Sequence, residues 1–270
     1  MASLSITDAR GRRLRLENPP RRIVSLVPSQ TELLADLGLG PTVVGVTRFC
    51  IHPDEWKREK TIVGGTKNVN LDRVRALRPD LILANLEENT RADIEALDAL
   101  APVFVTDVRD LEGALDMIRT VGRLTGTVRR AAELADGIAA GFAALPPFPA
   151  CRAAYLIWRD PYMSVGADTF IHDMLYRAGF VNVFGHRTRY PVVTPDDLRA
   201  ARPDVILLSS EPYPFRATHR EELRAQLPGP AIHLVDGEPF SWYGSRLRYT
   251  PAYLMRLRAR IMAGPAQTSA

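Results

Sequence analysis

Aromatic and arginine side chains concentrate in the segments that follow predicted β-strands and in one C-terminal loop. They are Arg48, Phe49, Trp158, Arg159, Tyr162, Arg189, Tyr190, Phe240, Trp242, Tyr243 and Arg246. Aromatic faces stack on flat ligands, and guanidinium groups bind carboxylates through paired hydrogen bonds. We therefore predict a binding site for a broad, flat ligand that carries anionic groups. The alternative, in which each ring belongs to a hydrophobic core, remains open from the sequence.

A second set of polar side chains stands where a predicted strand, residues 23–27, meets a predicted helix, residues 30–37. Pro28 is followed there by Ser29, Gln30 and Thr31. Side-chain oxygens at such a junction can accept hydrogen bonds from the first N–H groups of the helix. Ligands of α/β sheets bind beyond the carboxyl ends of the strands. We predict that this turn is both a helix cap and one lip of a ligand cleft.

Motifs of common catalytic sites are missing from the sequence. There is no G-x-x-x-x-G-K-[ST], no G-x-G-x-x-G after a strand and no G-x-S-x-G, and the histidines are dispersed. No nucleophile has a credible base partner, so we predict that the chain is not an enzyme. Cys50 and His52 could contact a metal ion. The alternatives are a small buried thiol and a solvated histidine.

Length and composition limit the remaining classes. The chain has 270 residues, of which 46% are hydrophobic and 24% charged, and its net charge is +4. Its arginines are scattered without a long run of like charges, which argues against a nucleic-acid partner. No apolar stretch is long enough to predict a transmembrane segment. The first residues lack a basic region followed by an apolar one, so the sequence as written predicts a cytoplasmic protein.

Predicted strands and helices alternate in both halves of the chain, which indicates parallel sheets and an α/β fold. Between the halves, residues 111–145 have helical periodicity and end at a proline-rich segment. We predict two Rossmann-like α/β lobes, residues 1–110 and 147–270, joined by one long rigid bridging helix within residues 111–146. The ligand cleft is expected between the lobes. A small hairpin with its turn at residues 8–11 is predicted before the first sheet.

The second half repeats part of the first. Residues 71–89 align without a gap with residues 195–213, so that Asp72 matches Asp196 and Glu87 matches Glu211. Both aspartates open a predicted helix, where the helix macrodipole favours a carboxylate. The alternative role is a pair of acidic contacts, one per lobe, for a two-fold symmetric partner. The repeat predicts an internal duplication of the lobe.

Four motifs, in this order and with a helical segment between the halves, carry a family resemblance: RRIVSLVPSQTELLADLG, VVGVTRF, NLDRVRALRPDLIL and VTPDDLRAARPDVIL. They resemble the helical-backbone, class III solute-binding proteins of ABC importers, which include vitamin B12, haem and ferric-siderophore receptors. The resemblance extends from Ile6 to about Met262 and looks strongest to the vitamin B12-binding type and to helical backbone metal receptors. It implies a monomeric binding protein without an intrinsic cofactor.

The resemblance also implies a ligand and the residues that bind it. The expected ligand is a metal chelate, first a cobalamin-like corrinoid, with haem or a ferric siderophore as alternatives. A protein or enzyme that handles a cytoplasmic metallocofactor through Cys50 or His52 is the competing hypothesis. The expected ligand contacts, combined with the residues above, are Ser29, Gln30, Arg48, Phe49, Thr66, Trp158, Arg159, Tyr162, Arg189, Tyr190, Trp242, Tyr243 and Arg246. Thr66 stands where the B12 receptor has a tryptophan.

Asp72 and Asp196 match two glutamates that such receptors present to arginines of an ABC permease dimer. The resemblance therefore implies a permease partner that docks on these two side chains. The family is periplasmic or surface-anchored, whereas the N-terminal sequence as written favours the cytoplasm.

Overall fold

The computed structural model describes residues 4–263, and the outermost residues of the two predicted lobes lie outside this range. The chain divides into two compact units. Lobe one contains residues up to 108 together with 112–139 and 243–248. Lobe two contains residues 109–111 and 140–242 and those from 249 onward. The predicted boundaries at residues 110 and 146 stay a prediction.

Lobe one is built on a five-stranded parallel sheet with the strand order β5-β4-β3-β8-β9. Its elements are β1 (Leu4–Thr7), β2 (Arg13–Leu16), β3 (Ile23–Ser25), α1 (Pro28–Asp36), β4 (Val43–Val46), α2 (Trp56–Glu59), β5 (Thr61–Ile62), β6 (Gly64–Gly65), β7 (Asn68–Val69), α3 (Leu71–Leu77), β8 (Leu81–Asn85), α4 (Arg91–Leu97) and β9 (Val103–Thr106). Strands β3, β8 and β9 are buried along their whole length. Such continuous burial is typical of parallel strands with both faces covered.

The predicted N-terminal hairpin is confirmed, since β1 and β2 pair in antiparallel register. Asp8 closes its turn, because its Oδ1 atom accepts hydrogen bonds from the main-chain N–H groups of Arg10 and Arg12. The turn lies against the last strand of the sheet, where the Ala9 N–H donates to the Val105 carbonyl over 2.9 Å.

The segment that follows β9 contains two helices, α5 (Leu111–Thr125) and α6 (Val128–Ala143). The predicted single bridging helix is thus corrected to a pair. Gly126 adopts a left-handed conformation with a φ of +73°, which ends a helix more readily than it continues one. Helix α6 begins in lobe one and ends in lobe two.

Lobe two has a four-stranded parallel sheet with the order β11-β10-β12-β13. The remaining elements of the chain are β10 (Cys151–Leu156), α7 (Phe170–Arg177), β11 (Phe180–Asn182), α8 (Pro195–Ala201), β12 (Val205–Ser209), α9 (Ala217–Gln226), β13 (Ala231–Val235), α10 (Glu238–Ser241), the 3₁₀ helix η1 (Ser245–Arg248) and α11 (Thr250–Met262). All of them except η1, which belongs to lobe one, lie in lobe two. Its core packs apolar residues of β10 and β12 against α8 and α9. The prediction of two α/β lobes with parallel sheets is confirmed.

The predicted repeat has the same local structure in both lobes. Helices α3 and α8 begin with side-chain caps, in which Asn70 and Thr194 each accept a hydrogen bond from the main-chain N–H three residues later. Both end at an arginine in the left-handed conformation, Arg78 with φ 44° and Arg202 with φ 46°. The strands also follow one order, since β4-β3-β8-β9 corresponds to β11-β10-β12-β13. These matches support an internal duplication.

Within residues 4–263, every helix is too short or too polar to cross a bilayer.

Candidate ligand-binding site

The clearest exposed ring of lobe one is Phe49, in the loop that follows β4. This side chain is 52% exposed, and the Arg48 guanidinium lies 5.9 Å from the ring centroid. The Arg48 N–H donates to the Gly64 carbonyl over 2.9 Å, which fixes the loop to the β6–β7 hairpin. A side chain at Gly65 would collide with the Asn68 side chain and crowd the Phe49 ring. Within residues 4–263, the Arg48 side chain has no ion-pair partner, so it can receive an anionic group.

The predicted polar lip, Ser29 and Gln30, is buried. Helix α1 begins earlier than predicted, at Pro28, and its cap residue Val27 provides no side-chain hydrogen bond. The predicted capping role of Ser29 and Thr31 is therefore wrong, because both residues already lie in the first turn of the helix. Thr31 Oγ1 instead lies 2.8 Å from Ser25 Oγ and 2.9 Å from the Val27 carbonyl.

A buried network of amides and hydroxyls supports the carboxyl ends of β8 and β9. Gln30 Nε2 and Asn85 Nδ2 donate to Thr106 Oγ1 over 2.6 and 3.1 Å. Asn89 Oδ1 accepts from the Asn85 N–H, and Asn89 Nδ2 donates to the Thr66 carbonyl. Thr66, predicted as a ligand contact, is itself buried and tied into this network through its main chain. No sequence motif marks this network, although both asparagines lie in the last five residues of the repeat.

The predicted metal contact at Cys50 receives no support from its surroundings. The thiol is fully buried and lies 3.0 Å from Thr31 Oγ1 and 3.2 Å from Thr47 Oγ1. Burial raises the pKa of the Cys50 thiol, whereas a metal ligand must be a thiolate. Within residues 4–263, no cluster of three or more histidine, cysteine or acidic residues could hold a metal ion. His52 is half-buried in the next turn of the chain.

In lobe two, the loop after β10 presents Trp158, which is 40% exposed. Its ring contacts Tyr213 edge-on with centroids 5.7 Å apart, and Tyr213 in turn contacts Phe215 at 4.9 Å. Tyr213 is not among the predicted contacts, although it is the last residue of the second copy of the repeat. An edge-to-face arrangement restrains the indole and leaves part of its surface open.

Arg159 and Tyr162 lie in the same loop as Trp158. Arg159 Nη2 is 2.7 Å from a Glu222 carboxylate oxygen, and its Nε is 3.7 Å from Asp160 Oδ2. Tyr162 is half-buried against the core of lobe two. Burial raises the pKa of its phenol above the ordinary value. Arg159 is thus largely engaged within lobe two, so that Trp158 provides the open surface of this loop.

Arg189 and Tyr190 form a third pair, in the loop that follows β11. The guanidinium lies 5.7 Å from the Tyr190 ring centroid, and the Arg189 N–H donates to Asp168 Oδ1 over 2.5 Å. Arg189 has a positive φ of 55°, which a hydrogen-bonded turn can hold. The structure therefore brings these two predicted residues together and ties them to the loop after β10.

Three C-terminal residues predicted as ligand contacts have internal roles. Trp242 is only 6% exposed, and its Nε1 donates to Glu211 Oε1 over 3.0 Å. Tyr243 is similarly buried. Arg246 makes two parallel 2.8 Å hydrogen bonds to Glu32, so its charge is already matched. Aromatic and arginine residues in a loop can thus anchor that loop, and the role of these three residues as ligand contacts stays a prediction.

Glu211 is the centre of a polar cluster at the carboxyl end of β12. Besides Trp242, the Ser241 hydroxyl donates to it, and Tyr155 donates to the nearby Ser209 hydroxyl over 3.0 Å. A side chain at Gly237 would collide with Ser209 and Glu211. Burial raises the pKa of the Glu211 carboxyl more than these hydrogen bonds lower it. In lobe one, burial likewise raises the pKa of Glu88, in the loop after β8.

The two aspartates of the repeat are the most exposed of the predicted functional residues. The Asp72 and Asp196 side chains are 88% and 89% exposed. Each pairs with the arginine three residues later, Arg75 or Arg199. Since Asn70 and Thr194 already cap the two helices, neither aspartate is needed as a cap.

Residues 23–229 match the model of a protein family described as periplasmic binding protein. An ABC transporter substrate-binding lipoprotein of Bacillus subtilis is 28% identical over 76% of this chain and 68% of its own length. A cobalamin-binding protein of Halobacterium salinarum is 29% identical over 74% of this chain and 57% of its own length, so the chain spans little more than half of that relative. The crystal structure of a periplasmic vitamin B12 binding protein of Vibrio cholerae superimposes with a TM-score of 0.75 at 20% identity. That match covers 92% of this chain and 99% of the other.

These comparisons overturn the cytoplasmic reading of the N-terminal sequence. The matching family is one of periplasmic binding proteins, and the Bacillus relative is a lipoprotein. The relatives are also solute-binding proteins, which agrees with the prediction of a non-enzymatic chain.

Proposed function

Since the chain belongs to the periplasmic binding protein family, we propose that it binds a metal chelate, a cobalamin-like corrinoid, for an ABC-type importer. The observation that carries this proposal is the exposed Phe49 ring beside the unpaired Arg48 guanidinium, at the carboxyl end of a parallel strand. Ligands of α/β sheets bind at this end. The cobalamin-binding relative supports the choice of ligand. The ligand is cargo in this proposal, and the protein acts without catalysis.

Trp158 is the corresponding open ring of lobe two. Its exposed indole lies in the loop after β10 and is restrained from behind by Tyr213. A restrained aromatic side chain loses little conformational entropy when it binds a flat ligand, which is why such residues dominate binding energies. We place Phe49, Arg48 and Trp158 at the ligand, with Tyr162, Arg189 and Tyr190 as further contacts. The cleft between the lobes stays a prediction.

The partner in this proposal is an ABC permease that receives Asp72 and Asp196 in basic sockets. Two observations support it. The aspartates occupy equivalent positions of a duplicated element, and both side chains are exposed beyond any role in capping. A duplicated acidic contact suits a two-fold symmetric partner, because each copy meets the same surface.

The ligand is tested by titrating the purified protein with cobalamin and following the corrin absorption spectrum. Wild type is expected to bind one equivalent. Phe49→Ala and Trp158→Ala should each weaken binding about tenfold or more, since both remove an aromatic anchor. Tyr176→Ala is the matched control, because Tyr176 is 73% exposed at the end of α7, just before the amino end of β11, and its loss should leave the affinity unchanged.

Equal affinities of Phe49→Ala, Trp158→Ala and Tyr176→Ala would remove both rings from the site. Absence of cobalamin binding by the wild-type protein would contradict the corrinoid. A Soret band that appears on titration with haem would then identify a porphyrin as the chelate.

A further inference from the structure

Lobe one has a second concave site, between the N-terminal hairpin and the connection from α4 to β9. Its volume is about 410 Å³, within the usual range of small-molecule pockets. Arg10, Arg12 and Arg13 line it from the hairpin, and Asp98 lines it from the end of α4. Because Val103 begins β9, this pocket lies at the amino end of the parallel strands, whereas Phe49 follows the carboxyl end of β4. The two sites therefore occupy opposite edges of one sheet.

Arg10 forms the fixed floor of this pocket. Its Nε donates to Asp8 Oδ2 over 2.8 Å, and its Nη1 donates to Asp98 Oδ2 over 2.7 Å. Its Nη2 reaches Asp98 Oδ1 and the Val103 carbonyl. Asp8 and Asp98 are both largely buried, so they hold the guanidinium in one orientation. Arg10 thus gives the pocket its shape and has few donors left for a ligand.

Arg12 and Arg13 supply the charge that remains available. Arg12 shares the Asp98 carboxylate with Arg10, and its side chain is still 58% exposed. Arg13 opens β2 on the exposed face of the hairpin, and its guanidinium has no ion pair within residues 4–263. Three arginines thus meet only two aspartates, and the excess positive charge stands at the mouth of the pocket. Neighbouring guanidinium groups with free donors favour phosphate, which they bind through paired hydrogen bonds.

The other wall of the pocket is apolar. Leu14 faces it from the hairpin, and Leu100, Ala101 and Pro102 face it from the connection to β9. A bare inorganic ion would leave this wall in contact with water. A phosphate ester presents a dianionic or monoanionic head together with a carbon skeleton, so it matches both the arginines and the apolar wall.

We propose that this pocket is a second binding site, specific for a phosphate ester, in which Arg12 and Arg13 bind the phosphate. A soluble organic phosphate and the headgroup of an anionic phospholipid share this chemistry. The site is separate from the proposed chelate site and does not depend on it.

The test uses two probes on the full chain, glycerol 3-phosphate by isothermal titration calorimetry and phosphatidylglycerol vesicles by co-sedimentation. Phosphatidylcholine vesicles serve as the uncharged reference. Saturable binding of glycerol 3-phosphate alone would identify a soluble ester, and binding of phosphatidylglycerol vesicles a lipid headgroup. The double variant Arg12→Gln/Arg13→Gln should weaken the observed binding about tenfold or more, because each bidentate guanidinium–phosphate contact is a strong charge-assisted interaction.

Arg15→Gln is the matched control, since Arg15 lies two residues further along β2 on the same exposed face but does not line the pocket. Its binding should remain close to wild type. Two results would overturn the proposal. One is no binding of either probe by the wild-type chain, and the other is a double variant that binds as well as Arg15→Gln does, which would remove Arg12 and Arg13 from the site. Circular dichroism and the melting temperature of the double variant check that the chain remains folded.

Discussion

The two lobes agree where a helix joins a strand and differ where the strands end. In both repeats a capped helix closes with a left-handed arginine, and a Pro-Asp pair then opens the buried strand. At the carboxyl ends, lobe one uses the amides of Asn85 and Asn89, whereas lobe two uses the Glu211 carboxylate. The shared helix–strand connection maintains the sheet, and the difference at the carboxyl ends gives each lobe different loops there.

Even the shared join is not identical in the two lobes. Asp80 accepts hydrogen bonds from two main-chain N–H groups, those of Arg21 and Arg22, at 2.8 and 2.9 Å. Asp204 accepts one, from Arg152, at 2.8 Å. The Arg22 and Arg152 side chains donate hydrogen bonds to main-chain carbonyl groups at the ends of α3 and α8. The duplicated helix–strand connection therefore has one more hydrogen bond to the main chain in lobe one than in lobe two.

The largest change in stability is expected at an ion pair of lobe one whose two residues lie 214 positions apart in the chain. Arg246 in η1 makes a bidentate, mostly buried pair with Glu32 of α1. Arg246→Ala should lower the free energy of unfolding by about 3 kcal/mol, because it leaves the Glu32 carboxylate buried without its cation. Denaturant unfolding followed by circular dichroism measures this change.

Arg248→Ala is the control for this prediction. Arg248 pairs with Asp36 in the same segment, but that pair is more exposed, so about 1 kcal/mol is expected. Equal losses in the two variants would show that η1 stabilises lobe one through packing and not through the buried ion pair.

A second experiment compares the duplicated aspartates directly. Asp80→Ala should lower the free energy of unfolding by about 2 kcal/mol, and Asp204→Ala by about 1 kcal/mol, since the first loses two main-chain donors and the second loses one. Both values come from the same denaturant titration. A larger loss for Asp204→Ala would mean that the join is more important in lobe two, contrary to the hydrogen-bond pattern.

A third experiment uses pH to compare the carboxyl groups at the strand ends. Because burial raises the pKa of Glu211, the folded protein binds this proton more tightly than the unfolded chain does. The contribution of Glu211 to stability is therefore fully present below its unfolded pKa, about 4.3, and is lost as the pH rises through the folded pKa. Glu211→Gln should reduce this decline in melting temperature while retaining an acceptor for Trp242.

Glu88→Gln provides the corresponding variant in lobe one, since burial raises that pKa in the same direction. Each variant should reduce the fall of the melting temperature with rising pH, and the double variant should reduce it further. If the melting temperature of Glu211→Gln fell with pH as steeply as that of the wild type, protonation of Glu211 would not contribute to stability.

The smallest effect on stability is expected at Asp72 and Asp196. Their ion pairs with Arg75 and Arg199 are exposed, so Asp72→Ala and Asp196→Ala should each change the free energy of unfolding by less than about 0.5 kcal/mol. Cobalamin affinity should also stay unchanged, whereas ligand-dependent stimulation of the permease ATPase in proteoliposomes should fall. Normal stimulation by the double variant would contradict the docking proposal.

The repeat could be predicted because its pattern is local. A capped helix, a Pro-Asp pair and an apolar strand are each encoded by neighbouring residues, and both copies fold as the alignment indicates. The helix break at Gly126 could not be predicted from the sequence, because a glycine within a helical pattern either continues the helix or ends it. The backbone angle of the glycine decides which.

The candidate site could be predicted only in part, because residue type does not specify which partner a side chain meets. Phe49 and Trp158 are exposed as expected for ligand contacts. Trp242 and Arg246 have the same types and also lie in a loop, but Glu211 and Glu32 occupy their polar groups. Those carboxylates are 31 and 214 positions away in the chain. Long-range pairings of this kind leave no periodic signal in the sequence.

The N-terminal hairpin has a consequence for association between molecules. Strand β9 ends the sheet of lobe one, and a terminal strand with open carbonyls is a template on which another chain can add. The Ala9 N–H occupies the Val105 carbonyl, and the Arg10 guanidinium occupies that of Val103. The hairpin thus blocks edge-to-edge polymerisation, and a chain that lost it would expose β9 as an unpaired edge strand.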